Sequence, residues 1–138
     1  IIPWQATRCI SRWEGPKLAK GVTRWQSIVA EAAKQSLRVH TPKVLSAVTT
    51  EQLSGLVENF DTVLVLDPTS PIALKSKLPI TGKVAIVVGP EGGIDTSELM
   101  QLSNAGATLV HLGSGILRTS TAGLAAISAI LAFGSAWD

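Results

Sequence analysis

Two uninterrupted apolar runs, Thr62-Val63-Leu64-Val65-Leu66 and Lys83-Val84-Ala85-Ile86-Val87-Val88, constrain this chain more than any other feature. A strand with one solvated face alternates apolar and polar residues, so runs without alternation indicate strands covered on both faces, as in a parallel sheet between helices. The flanking sequence supplies the helices. Leu18, Val22, Trp25, Val29 and Ala32 recur at steps of three and four, which predicts a helix over 17–35 with one apolar stripe and basic residues on its other faces. Pro42 stops any continuation, and residues 43–45 are expected to form a short strand. Thr49-x-x-Gln52 has capping-box spacing and opens a helix expected over 51–60, with Leu53, Leu56, Val57 and Phe60 on its apolar face. Asp95-x-x-Glu98 caps a third helix ending at Asn104-Ala105-Gly106, and 108–111 reads as another strand. The last helix, 121–133, is apolar nearly all round and demands burial, inside the domain or against a second subunit. The fold class is therefore α/β, a mostly parallel sheet flanked by helices.

At 138 residues, 46% of them hydrophobic, the chain suits one domain with one core, spanning 1–138. It opens Ile1-Ile2-Pro3-Trp4, which reads as the end of a buried strand, so a fragment of a longer protein is expected. The longest apolar stretch, 122–133, falls short of the roughly 20 residues that a bilayer helix needs. No signal-peptide pattern is present and the lone Cys9 has no internal disulfide partner, which points to a reducing, cytoplasmic setting. Charge is uneven. Residues 1–43 carry eight Lys or Arg against Glu14 and Glu31, a net +6, whereas 44–138 carry four against eight acids, a net −4. Basic charge interleaved with Trp4, Trp13 and Trp25 fits a polyanion contact, and also a solvated helix face with packed tryptophans.

Ligands of open α/β sheets bind beyond the carboxyl ends of the strands. Three unusual loops follow the strands predicted over 62–66, 83–88 and 108–111: Asp67-Pro68-Thr69-Ser70-Pro71, Gly89-Pro90-Glu91-Gly92-Gly93, and Leu112-Gly113-Ser114-Gly115-Ile116-Leu117-Arg118. In a parallel sheet all three share one edge. The glycines of the second loop allow a sharp turn and a close backbone approach to a flat ligand, while Glu91 adds a fixed acceptor; alone, they fit a plain strand-to-helix turn as well. The loop lacks the Lys-Ser/Thr of a P-loop and the spacing of a dinucleotide fingerprint. One Cys and two distant histidines, His40 and His111, give no metal-ligand cluster, so no metal is expected; His111 reads as a hydrogen-bonded core residue. Gly113-Ser114-Gly115 resembles neither a nucleophile elbow nor a Ser-x-x-Lys arrangement.

Taken in order, three motifs resemble the bacterial small-subunit ribosomal RNA uridine-N3 methyltransferases of the SPOUT, or trefoil-knot, superfamily. They are Arg24-Trp25-x-x-Ile28-x-x-Glu31-Ala32-x-x-Gln35-x-x-Arg38-x-x-x-Pro42, then Gly-Pro-Glu-Gly-Gly at 89–93 with Glu98 following, then Leu112-Gly113-x-x-Ile116-Leu117-Arg118-x-x-Thr121-Ala122. Two departures stand out: Ser120 occupies the place of the family's usual Glu, and this sequence is expected to start after the family's N-terminal RNA-binding domain and the opening strand and helix of its knot domain. The resemblance implies a C-terminal trefoil knot, a homodimer that completes the active site, small-subunit ribosomal RNA as partner, and S-adenosylmethionine held by Leu66, Gly89, Pro90, Glu91, Gly92, Gly93, Leu112, Gly113, Ile116 and Leu117. A bulky side chain at Gly92 is accordingly expected to block the cofactor.

Methyl transfer from a sulfonium rests on positioning and electrostatics. Uracil N3 carries a proton and attacks only as that proton leaves, so a guanidinium that neutralises charge on the flanking carbonyl oxygens is the expected aid. Arg38 and Arg118 are the catalytic candidates, with Glu31 expected to orient Arg38 from the same helical face; an Arg38 that contacts phosphate or merely pairs with Glu31 is the competing reading. Arg12, Lys20 and Arg24 are candidate RNA-backbone contacts. Two other functions fit the same motifs: a non-catalytic RNA-binding or ribosome-assembly module, and a knot enzyme acting on transfer RNA ribose.

Overall fold

The computed structural model describes residues 1–134. Among them, β1 (Thr62–Leu66), β2 (Val84–Val88) and β3 (Thr108–Val110) form a parallel sheet in the order β2-β1-β3. The side chains of central β1 alternate between two dry layers. Val63 and Val65 pack with Val57, Val87, Leu102 and Ala107, whereas Leu64 and Leu66 pack with Leu74, Val110, Ala122 and Ala126. Burial on both faces accounts for the unbroken apolarity of β1.

Helix α3 (Thr96–Asn104) covers the first layer and starts at the expected capping box, Asp95 receiving the Ser97 N–H while Glu98 receives the Asp95 N–H. Helix α4 (Thr119–Phe133) covers the second layer through Ala122 and Ala126, and Gly123 lets it approach Val88 closely. Complete burial of α4 is not what a single chain achieves: Leu124, Ile127 and Phe133 point outward, because the small residues took the inner face. No helix of the described residues is long and apolar enough to cross a membrane.

The first half differs more from expectation. Helix α1 (Pro16–Gln35) forms over the anticipated span, but its one buried residue is Ala33, while Ala32 and Trp25 of the predicted stripe are exposed. The reason is that α1 lies against irregular chain. Trp13 meets Trp25 edge-on at 5.2 Å, and the Gln26 amide donates to Pro42 O and accepts from Val44 N–H. The predicted 43–45 strand is instead part of a strap in which Leu45 and Val48 N–H donate to Ile1 and Pro3 carbonyls around a single Trp4–Val48 bridge. The helix expected over 51–60 stops early: α2 (Thr50–Ser54) keeps its Thr49–Gln52 capping box, then yields at Gly55 to a 3-10 turn, Val57–Asn59, that delivers Val57 to the core.

Candidate functional site

Parallel pairing brings the three carboxyl ends of the strands together, and the loops that follow them surround a cleft of about 900 Å³. That volume lies in the range of about 300–1,000 Å³ typical of small-molecule sites. Of the predicted cofactor residues, Leu66, Gly89, Pro90, Glu91, Gly93, Leu112, Gly113, Ile116 and Leu117 line it, as does Arg118.

Each wall is held by identifiable bonds. In the first loop, Asp67 is buried and its carboxylate accepts the N–H and hydroxyl of Thr69. Ser70 donates to Leu109 O and its Oγ accepts the Ile72 N–H, and His111 N–H donates to Ile72 O, tying this loop to the end of β3. In the second, Gly93 N–H closes a turn onto Pro90 O at 2.9 Å, and Thr119 at the start of α4 donates to Gly89 O. Gly93 adopts φ +75°, a left-handed conformation that glycine takes without the steric cost borne by other residues. In the third loop, among the described residues, no main-chain N–H from Leu112 to Arg118 is donated to a protein acceptor. That stretch is therefore free to serve a ligand.

His111 is hydrogen-bonded, as expected, but it is only half-buried and lines the cleft. Its Nδ1 lies 2.8 Å from Ser70 O; a carbonyl only accepts, so Nδ1 carries the proton.

Three of the expected site residues lie outside the cleft lining. Gly92 does not line the cleft: a Cβ there would meet Arg8, at 3.2 Å from its Cβ and 3.3 Å from its carbonyl oxygen, so a side chain would strike the N-terminal segment instead of the ligand space. Arg38 and Glu31 stand apart from the cleft lining. They are not paired either, because α1 ends at Gln35 and Glu31 instead takes Lys34 at 2.8 Å, a bond that raises the pKa of that lysine. Arg38 follows Leu37, whose φ of 51° turns the chain out of the helix while Arg38 N–H bonds Ala33 O. The RNA candidates do converge: Arg12, Lys20 and Arg24 line a separate groove of about 380 Å³ between residues 10–13 and α1.

The sequence reading passed over Arg8. Its guanidinium reaches Asp95 at 3.0 Å and Gly92 O at 3.4 Å, and it lines the cleft. Its partners lie 84 and 87 residues away, so apart from its place in the basic first third no local signal marks it. Asp95 is held below the ordinary aspartate range, chiefly by the Ser97 hydroxyl, then by the Ser97 N–H, with Arg8 adding to the effect.

Comparison with known proteins agrees with this geometry. A family model described as an RNA methyltransferase domain matches residues 1–131. A Mycobacterium bovis protein named ribosomal RNA small subunit methyltransferase E is 39% identical over 143 residues, covering all of this chain and 55% of that protein. The Bacillus subtilis protein of the same name is 36% identical, covering 94% of this chain and 54% of its own length. A crystal structure of ribosomal RNA small subunit methyltransferase E from Neisseria gonorrhoeae, bound to S-adenosyl methionine, superposes with a TM-score of 0.83 at 34% identity, covering 94% of this chain and 53% of that one. The chain thus spans about half the length of the relatives it matches.

Proposed function

The chain belongs to the RNA methyltransferase domain family, and from that membership we propose that it binds S-adenosylmethionine in the three-loop cleft and methylates N3 of a uridine in small-subunit ribosomal RNA. The observation that carries the reading is the convergence of three strand-end loops on one cleft, with the main-chain N–H groups of 112–118 donated to no protein acceptor among the described residues. Adenine and ribose edges ask for backbone donors and acceptors at close range, and Gly93 and Gly113, where a Cβ would meet no protein atom within 4 Å, keep side chains out of the way. Bound there, S-adenosylmethionine supplies an electrophilic methyl group.

The chain's own part is to orient and to stabilise charge. Arg118 stands in the cleft lining, where its guanidinium neutralises the charge that builds on the uracil oxygens as N3 loses its proton. Arg38 and Glu31 enter the proposal through a homodimer, whose support is the outward apolar surface of Ile116, Leu124 and Ile127. A C-terminal trefoil knot is also part of the reading, supported by the bonds that lay residues 70–74 beside His111 where the third loop begins. So is a single methyltransferase domain drawn from a longer, cytoplasmic protein.

Calorimetric titration of S-adenosylmethionine into the folded chain is the direct test. Saturable heat is expected, and its absence overturns the cofactor assignment. Ser120, which lines the cleft in place of the family's usual Glu, favours one rival: an RNA-binding module without turnover. Mass-spectrometric detection of 3-methyluridine in small-subunit RNA treated with a full-length version eliminates it.

A further inference from the structure

We propose that the groove between residues 10–13 and the first half of α1 is a docking track for single-stranded RNA, laying the strand beside the cleft that receives the target nucleotide. This rests on the RNA-directed reading above and adds to it a second, separate site. Lys17, Lys20 and Arg24 recur at steps of three and four and so share one face of α1, and Arg12 faces them from the N-terminal segment. Among the described residues the salt bridges are Arg8–Asp95 and Lys34–Glu31, which leaves these four cations without a carboxylate partner. Among the described residues, none that lines the groove is acidic.

Four uncompensated cations around one channel repel one another unless a polyanion fills it. Ser11 and Gly21 also line the groove, and its apolar walls are Trp13 and Ile10, the latter 90% exposed. Apolar walls beside phosphate-binding cations suit the splayed bases of a single strand. A duplex offers them no free base face.

The groove also lies close to the main cleft along the chain. Arg8 lines the cleft and Ile10 lines the groove, and two residues of chain span at most about 7 Å. A strand bound in the groove is thus led along residues 8–12 toward the three loops. The separation of roles follows: the groove holds backbone, the cleft holds cofactor and one base.

The test is fluorescence anisotropy of a short labelled single-stranded RNA of mixed sequence, titrated with the 138-residue chain across a salt series. Each phosphate contact contributes about 0.7 to the slope of log K against log salt for a single strand, so Lys17→Ala/Lys20→Ala flattens the slope by about 1.4. Ile10→Ala instead weakens binding by about fourfold at every salt concentration, with the slope unchanged. Circular dichroism confirms that each variant folds, since all three changes are on the surface of the N-terminal segment or of α1. Unaltered slopes in the double variant, no RNA binding by the folded parent, or equal affinity for duplex of the same length would each overturn the proposal. The cofactor titration is read separately: RNA binding with these slopes but no S-adenosylmethionine heat sinks the enzymatic reading and leaves the groove standing.

Discussion

The hydroxyl of Thr50 donates to Oε1 of Glu98 across 2.6 Å, joining the first residue of α2 to the first turn of α3. The same Glu98 oxygen accepts the Thr7 N–H at 3.0 Å, Oε2 accepts the Asp95 N–H, and the Thr50 hydroxyl receives the Trp4 indole N–H. One buried carboxylate thus fastens the N-terminal strap to the helix that follows the second loop.

Glu98→Ala leaves three donors without their acceptor and dismantles a capping box. A loss of about 2–4 kcal/mol in urea unfolding is expected, because three part-buried donors lose the acceptor that offsets their desolvation and α3 loses its capping box. Glu98→Gln keeps one carbonyl oxygen and should lose about half as much. An alanine variant within about 0.5 kcal/mol of the parent would show that the network is not a fastening.

Arg8→Ala separates stability from ligand binding. Its ion pair with Asp95 is half-exposed, so the fold should lose no more than about 1 kcal/mol. The same side chain holds the 92–95 stretch from outside, and S-adenosylmethionine affinity by calorimetry should fall by roughly three- to tenfold as that wall loosens. Unchanged affinity in the folded variant would remove Arg8 from the site.

Asp95 gives the acid limb of stability a defined sign. Its pKa in the folded chain is lowered, first by Ser97 and then by Arg8, relative to about 3.9 when unfolded. Its contribution is complete above the unfolded value and is lost as pH falls through the lower folded one. Asp95→Asn retains an N-cap acceptor but cannot titrate, so urea midpoints measured on descending pH should fall less steeply for the variant than for the parent. Identical acid slopes would assign that limb to other carboxylates.

What was legible in the sequence was what depends on near neighbours. Thr49–Gln52 and Asp95–Glu98 are capping boxes because their partners are three residues apart, and β1 announced its burial because both its faces meet apolar layers. The cleft followed from strand order and loop position. Distant pairings were not legible: Arg8 with Gly92 and Asp95, or Glu98 with Thr7, depends on how the strap lies over α3. Glu31 illustrates the opposite failure. Helical spacing suggested Arg38, but the helix ended before it and Lys34, three residues on, was closer at hand.

Gly21→Ala tests whether Trp13 is a fixed wall of the basic groove. A Cβ at position 21 would lie 2.7 Å from the indole ring of Trp13, whose main-chain N–H and carbonyl are both bonded by the Gln5 amide. Helix propensity alone favours alanine by about 1 kcal/mol, whereas displacing a packed ring costs about 1–3 kcal/mol. Net destabilisation with a shifted tryptophan emission is expected, together with weaker RNA binding. A stabilised variant with unchanged emission would mean that the ring yields freely.

Gly92 and Gly93 are adjacent, yet substitution should act on them in different ways. Alanine at Gly92 meets the Arg8 backbone at 3.3 Å, so it presses on the strap and should lower stability while weakening cofactor binding only through Arg8. Alanine at Gly93 meets no atom within 4 Å but must hold φ near +75°, at a cost of about 1–2 kcal/mol, on the turn that closes onto Pro90 O and lines the cleft. The discriminating experiment combines each substitution with Arg8→Ala. Calorimetric affinities for S-adenosylmethionine should be non-additive for Gly92→Ala with Arg8→Ala, since both act through one contact, and additive for Gly93→Ala with Arg8→Ala. The reverse pattern would place Gly92, not Gly93, against the ligand.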